Sequence, residues 1–180
     1  MINTFLESDS ILLEPLEKKH LTDEYINWLN DKESTQYNTH GIFPNTYEKT
    51  RQYIESSQNN TQITLAIIDK KSLDHIGNIS IYKIDFINSN ADISILIGNR
   101  NYWGKGYGSD AFSLVIQHCF NKLNLHKVTA GTTSDNIGMQ KILTKLNMSK
   151  EGILREAIQR NQLYFDIYLY GLIKRDFIEK

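Results

Sequence analysis

One segment restricts the fold of this chain more than any other. An isoleucine-rich run, Ala91–Ile97, ends at Gly98, and three alternate glycines follow at Gly104, Gly106 and Gly108 before a helical pattern begins. Phe112, Val115, Ile116, Cys119, Phe120 and Leu123 recur at the spacing of one helical face, and Ser109 or Asp110 is suited to cap it. Strand, glycine loop and helix in that order bring several main-chain N–H groups together at a helix N-terminus, where the macrodipole favours an anion. Glycine allows positive φ and a close approach of the backbone. A tight turn that binds nothing is the plainer alternative. Two common phosphate loops do not fit: five residues separate Gly98 from Gly104, Lys105 precedes Gly106 where a Walker loop needs Ser or Thr, and Ser109 stands where a dinucleotide fingerprint needs its third glycine.

The rest of the chain supplies a sheet for that unit. Ile11–Leu16 reads as a strand that stops near Pro15, and helices are expected over 20–30 and 46–57. Strands follow at Ile63–Asp69, Ile76–Asp85, Ala91–Ile97 and Lys127–Gly131, then a second helix with Met139, Ile142, Leu143 and Leu146 on one face. Two further strands, 150–158 and 163–172, flank the turn at Arg160, Asn161 and Gln162. The order predicts an α/β sandwich around a mixed, mostly antiparallel sheet of about seven strands with about four helices, in a single domain over residues 1–180.

Composition narrows the function. The 180 residues carry 20 Lys and Arg against 21 Asp and Glu, so nothing favours nucleic acid or an anionic membrane surface. No leader pattern opens the chain and no run approaches a membrane span, which leads us to expect a cytoplasmic protein, a monomer or homodimer. Cys119 is the single cysteine and shares the apolar helical stripe; no metal-ligand spacing occurs.

The run from Ile97 to Ala111 resembles the acyl-CoA pyrophosphate loop of the GNAT superfamily of N-acyltransferases. Gly106 and Gly108 fall on the signature glycines. Trp103 replaces the usual Arg or Gln, as in the ribosomal-protein N-acetyltransferase (RimJ/RimL-type) branch. The resemblance implies acetyl-CoA as cosubstrate and no metal. It implies that Gly104, Lys105, Gly106, Gly108 and Ser109 lie at the pyrophosphate. It further implies that main-chain groups of Leu96, Ile97 and Gly98 pair with the pantetheine arm and polarise the thioester, and that Asn136 contacts the CoA arm; an ordinary N-cap is the alternative for Asn136.

The acid and base are harder to read. The tyrosine that many relatives use as acid is matched by Leu143, and Ala130, Gly131 and Thr132 offer no carboxylate. Asp92 and Asp166 are the base candidates, with ordinary solvent-facing carboxylates as the alternative. Asp92 shares a strand face with Ser94 and Leu96; Asp166 shares one with Tyr164, Tyr168 and Tyr170, opposite Leu163, Phe165, Ile167 and Leu169. Acceptor contacts are expected from Trp28, Asn30, His40 and Tyr164, while Arg155, Glu156 and Arg160 near the last hairpin either join them or line a solvated edge. Polar and aromatic residues over 28–43 suit an amino-sugar nucleotide. The peptide or ribosomal-protein N-terminus and a CoA-binding sensor without turnover stay open as alternatives.

Overall fold

A computed structural model describes residues 3–177. Alternating and continuous β-branched runs give eight strands: β1 (Leu6–Glu7), β2 (Ile11–Pro15), β3 (Ile63–Asp69), β4 (His75–Asp85), β5 (Asn90–Ile97), β6 (Lys127–Thr133), β7 (Ser149–Arg160) and β8 (Leu163–Ile173). They form one sheet in the order β1-β2-β3-β4-β5-β6-β8-β7. Every pairing is antiparallel except β5 with β6. The strand beyond the expected seven is β1, a two-residue edge too short to leave a pattern.

Four α-helices cover both faces: α1 (Asp23–Asn30), α2 (Tyr47–Ser56), α3 (Tyr107–Asn121) and α4 (Ile137–Lys145). Central strands covered on both sides have no polar face, so β3 reads as a nearly continuous apolar run. On one side, Phe112, Val115, Ile116 and Phe120 of α3 pack with Ile79, Ile93 and Val128. On the other, Tyr25, Trp28 and Leu29 of α1 and Ile54 of α2 pack on Leu12, Ala66 and Ile68. Thr22 and Thr46 start α1 and α2 by accepting from the main-chain N–H groups of Tyr25 and Lys49. Cys119 lies within the α3 core, where burial pushes its thiol up to about 12, as expected of an inert apolar filler.

One expectation needs correction. Gly106, in the left-handed region, is the N-cap of α3, whereas Ser109 and Asp110 lie inside the first turn. β8 changes burial along its length: on the tyrosine face Tyr164 is 59% exposed and Tyr170 5%, while Leu163 on the opposite face is 62% exposed. Alternation fixes which residues share a face but not which of them are covered. Ala130 pairs directly with Tyr170, and that small neighbour leaves room for the ring beneath the helices.

Candidate active site

The sheet opens where the glycine loop begins. β5 and β6 pair only at Asn90↔Lys127, Ala91↔Val128 and Asp92↔Thr129. Beyond Asp92, β5 stays with β4 up to Gly77↔Ile97, while β6 stays with β8 to Thr133↔Ile167, so the two parallel strands diverge into a fork. The ladder's phase decides which main-chain groups line it. Gly98 N donates to Ile76 O at 3.0 Å, which places the N–H and C=O groups of Leu96 and Ser94 towards β4 and those of Ile93, Ile95 and Ile97 towards the fork.

This changes the expected trio. Leu96 turns its main chain away from the fork, and Gly98 O accepts from Ser34 Oγ at 3.0 Å. Ile97 O accepts from the Trp103 indole at 2.7 Å. Ile95 and the Ile97 N–H are the groups that face the opening. Trp103, at the position of the usual Arg or Gln, therefore ties the loop to the end of β5.

The four loop glycines serve different ends. Gly104 and Gly106 have φ of 72° and 95°, and a Cβ on either would meet no atom within 4 Å, so conformation alone demands glycine there. At Gly108 a Cβ would meet Ile142 Cδ1 at 3.2 Å, so α3 and α4 are in close contact at that point. At Gly98 a Cβ would fall 2.3 Å from Trp28 ring carbons. The loop is pinned by Tyr102, which donates to Asp74 at 2.7 Å, and by Tyr107, which donates to Asp69 at 2.7 Å. Lys105 Nζ lies 5.6 Å from the centre of the Tyr102 ring. Ser109 is buried in the first turn of α3. Gly106 offers that turn no side-chain acceptor, which leaves its first N–H groups directed out of the helix end.

Asn136 is the N-cap of α4, its Oδ1 accepting from Met139 N at 3.1 Å. Its amide NH₂ remains as a donor. Leu143 is 0% exposed in the α3-side core, so the side chain at the usual tyrosine position points into packing.

On the α1–α2 side of β4 and β5 lies a pocket of about 460 Å³. Tyr25, His40, Lys49, Tyr53, Asn78, Tyr82 and Ser94 are among the residues that line it, and no carboxylate does. His40 is the expected acceptor residue that reaches this pocket. Its turn rests on two asparagines: Asn45 Nδ2 donates to His40 O at 2.8 Å, and Asn30 Nδ2 donates to Asn45 O at 2.9 Å. Asn30 thus supports the wall. Trp28 is 6% exposed beneath Gly98, and Tyr164 stands 59% exposed on β8 outside the pocket lining. His40 is exposed to solvent; partial desolvation at the pocket rim and the Lys49 charge hold its imidazole below the ordinary value.

Neither base candidate lines the pocket. Asp92 sits at the closed end of the fork, accepting from Thr129 Oγ1 and facing Lys83 Nζ at 3.3 Å. Asp166 Oδ1 accepts from Glu156 N at 2.9 Å and so secures the bulge where β7 slips against β8. Asp31 and Glu33 are both turned to Arg100.

Sequence reasoning missed Asn78, Ser80 and Tyr82. Their polar alternation interrupts a strand that is otherwise buried on both faces, and such a stripe marks a cavity. Asn78 is fixed by His75, whose Nε2 donates to Asn78 Oδ1 at 2.9 Å and Gly77 O at 3.0 Å. Two acceptors on one nitrogen assign the proton to Nε2 and leave Nδ1 bare; it is buried without a partner among the described residues. Rings of His20, Tyr25 and Trp28 lie about it at 5.1, 5.4 and 5.0 Å. Burial lowers the His75 pKa from 6.5 to about 4. The unfolded chain then takes up the proton first, so the contribution is complete above the unfolded value and is lost as the pH falls towards 4. We expect acidification to pH 4 to remove about 3 kcal/mol through this residue. Urea unfolding across that range should show it, and His75→Phe should flatten the dependence; an equally steep variant would refute the assignment.

The family comparison fits this geometry. Residues 10–149 match the model of the acetyltransferase (GNAT) domain. The chain belongs to the GNAT acetyltransferase family. It is 35% identical over 112 residues to the uncharacterized N-acetyltransferase p20 of Bacillus licheniformis, a match that spans 62% of each chain. It is 25% identical over 149 residues to the uncharacterized N-acetyltransferase YnaD of Bacillus subtilis, 83% of this chain and 85% of that one. Its fold is like that of a Vibrio cholerae spermidine N-acetyltransferase in complex with CoA and spermine, with a TM-score of 0.84, 20% identity and coverage of 94% and 98%. It is also like RimL, a ribosomal L7/L12 alpha-N-protein acetyltransferase in complex with coenzyme A, with a TM-score of 0.82, 17% identity and coverage of 92% and 95%. Among the described residues, no group of His, Cys, Asp and Glu could hold a metal ion, and no helix is long and apolar enough to cross a membrane.

Proposed function

We propose that the chain transfers the acetyl group of acetyl-CoA directly to the primary amine of an amino-sugar nucleotide. The observation that carries the choice of acceptor is the pocket: neutral polar and aromatic side chains, one lysine and no carboxylate. A polyamine needs negative charge around it, and the acidic residues near this loop are already paired with Arg100. Sugar hydroxyls and an anionic diphosphate match amides, hydroxyls, aromatic faces and Lys49.

In this reading the amides at Gly104, Gly106, Gly108 and Ser109 hold the CoA pyrophosphate with Lys105 beside them, and Asn136 NH₂ donates to the arm. The Ile95 and Ile97 amides face the thioester and stabilise negative charge on its oxygen. The amine nitrogen attacks the carbonyl carbon, a C–N bond forms, the C–S bond breaks, and CoA departs as the thiolate. The exposed His40, its imidazole held below the ordinary value by partial desolvation and the Lys49 charge, takes the amine proton through water. Asp92 and Asp166 act as structural carboxylates.

A thiol assay of CoA release tests this with three acceptors: a uridine-diphosphate amino sugar, a peptide with a free N-terminus, and spermidine. The sugar nucleotide should give the highest kcat/KM. A higher value with spermidine overturns the acceptor assignment, and a higher value with the peptide favours N-terminal acetylation, the reading that likeness to RimL supports. Lys49→Ala should raise the KM for the sugar nucleotide about tenfold, the loss of roughly 1.4 kcal/mol, and change kcat little.

A further inference from the structure

Arg160, the last residue of β7, joins two loops that are far apart in sequence. Its Nη1 donates to Gln36 O at 2.6 Å and its Nη2 to Asp135 Oδ1 at 2.6 Å. The guanidinium lies 4.4 Å from the centre of the Phe165 ring and 5.5 Å from that of Tyr37. The side chain is 23% exposed, and its Nε is buried without a partner among the described residues.

The two ends of this bridge reach different substrates. Gln36 and Tyr37 run directly into Asn38, Thr39 and His40, which line the acceptor pocket. Asp135 immediately precedes Asn136, the cap of α4 on the CoA side. An ordinary surface ion pair carries little energy and no information, because long side chains and salt loosen it. This contact differs in kind. One rigid, planar group makes charge-assisted bonds to both loops and lies over the Phe165 ring, so a shift of either loop misaligns the bond to the other.

We infer that Arg160 is a positioning residue that couples the two substrate sites: CoA bound beside α4 orders residues 31–43 through Asp135 and Arg160. The inference rests on the CoA assignment proposed above. It gives the acceptor loop a reason to close only when the acyl donor is in place.

Hydrogen exchange of the full chain with and without CoA tests it. In the wild type, CoA should slow exchange at residues 104–109, and also slow it about tenfold at residues 31–43, by linkage through the bridge. In Arg160→Ala the first effect should persist while the second falls to within about twofold of no change. Asp135→Asn, which keeps the Gln36 bond but removes the charge, should behave in the same way and carries the test if Arg160→Ala fails to fold. Protection at 104–109 without any at 31–43 in the wild type overturns the coupling, as does loop protection that survives in the variants. No protection at 104–109 in the wild type overturns the CoA assignment itself.

Discussion

Gly106→Asp should leave the protein folded and weaken acetyl-CoA binding by about a hundredfold, close to 2.7 kcal/mol. Gly106 is the N-cap of α3 with φ of 95°. A side chain at that φ is strained by about 1–2 kcal/mol, and aspartate is among the residues that bear it best, so the helix is weakened and not lost. A carboxylate at this position competes for the amides that the proposal gives to the pyrophosphate, and it repels that group. Calorimetric titration with CoA and a thermal melt read the two properties separately. Normal affinity in a folded variant would remove the first turn of α3 from the CoA site.

Gly98→Ala should have the opposite character, a large loss of stability from one methyl group. The added carbon falls 2.3 Å from two carbons of the Trp28 ring, far inside contact distance. The ring cannot simply swing away, because Trp28 is packed in the core with Tyr25 and Leu29 and touches His75 edge-on at 5.0 Å between centroids. Overpacking of this kind costs about 3 kcal/mol. For a chain of this length that lowers the melting temperature by roughly 6–12 °C. Trp28→Leu should recover part of the loss in the double variant, since the two sites share one contact. A melting temperature unchanged in Gly98→Ala would show that the strand end can shift freely.

These two glycines illustrate what sequence could and could not assign. Spacing singled out both, along with Gly104 and Gly108, as members of one loop. Only the structure separates their roles: positive φ at Gly104 and Gly106, contact with Ile142 at Gly108, and contact with Trp28 at Gly98. The Trp28 contact joins residues seventy positions apart, so no local pattern announces it. Helical periodicity located α3 well but not its cap, because a glycine cap acts through backbone conformation and leaves no polar side chain as a signal.

The site shows the same division. Residue types placed His40 in the acceptor region, and its turn does reach the pocket. They also marked Asp92 and Asp166 as bases, where the structure finds one carboxylate bonded to Thr129 and the other supporting a bulge. A carboxylate on a strand looks alike in sequence whether it faces a cleft, solvent or a bulged partner. Asn78, Tyr25 and Lys49 went unmarked, since they meet only when β4, α1 and α2 are stacked together.

By itself, the sequence determined the order of strands and helices and the position of the glycine loop between strand and helix. Each depends on local periodicity or on the conformations open to glycine, which act over a few residues. The tertiary structure alone decided where β5 leaves β6, which end of β8 is covered, which main-chain amides point into the fork, and that the pocket beside α1 and α2 lacks a carboxylate. Those follow from register and from contacts between distant segments, where a shift of one residue turns a side chain or an amide from one side of the sheet to the other.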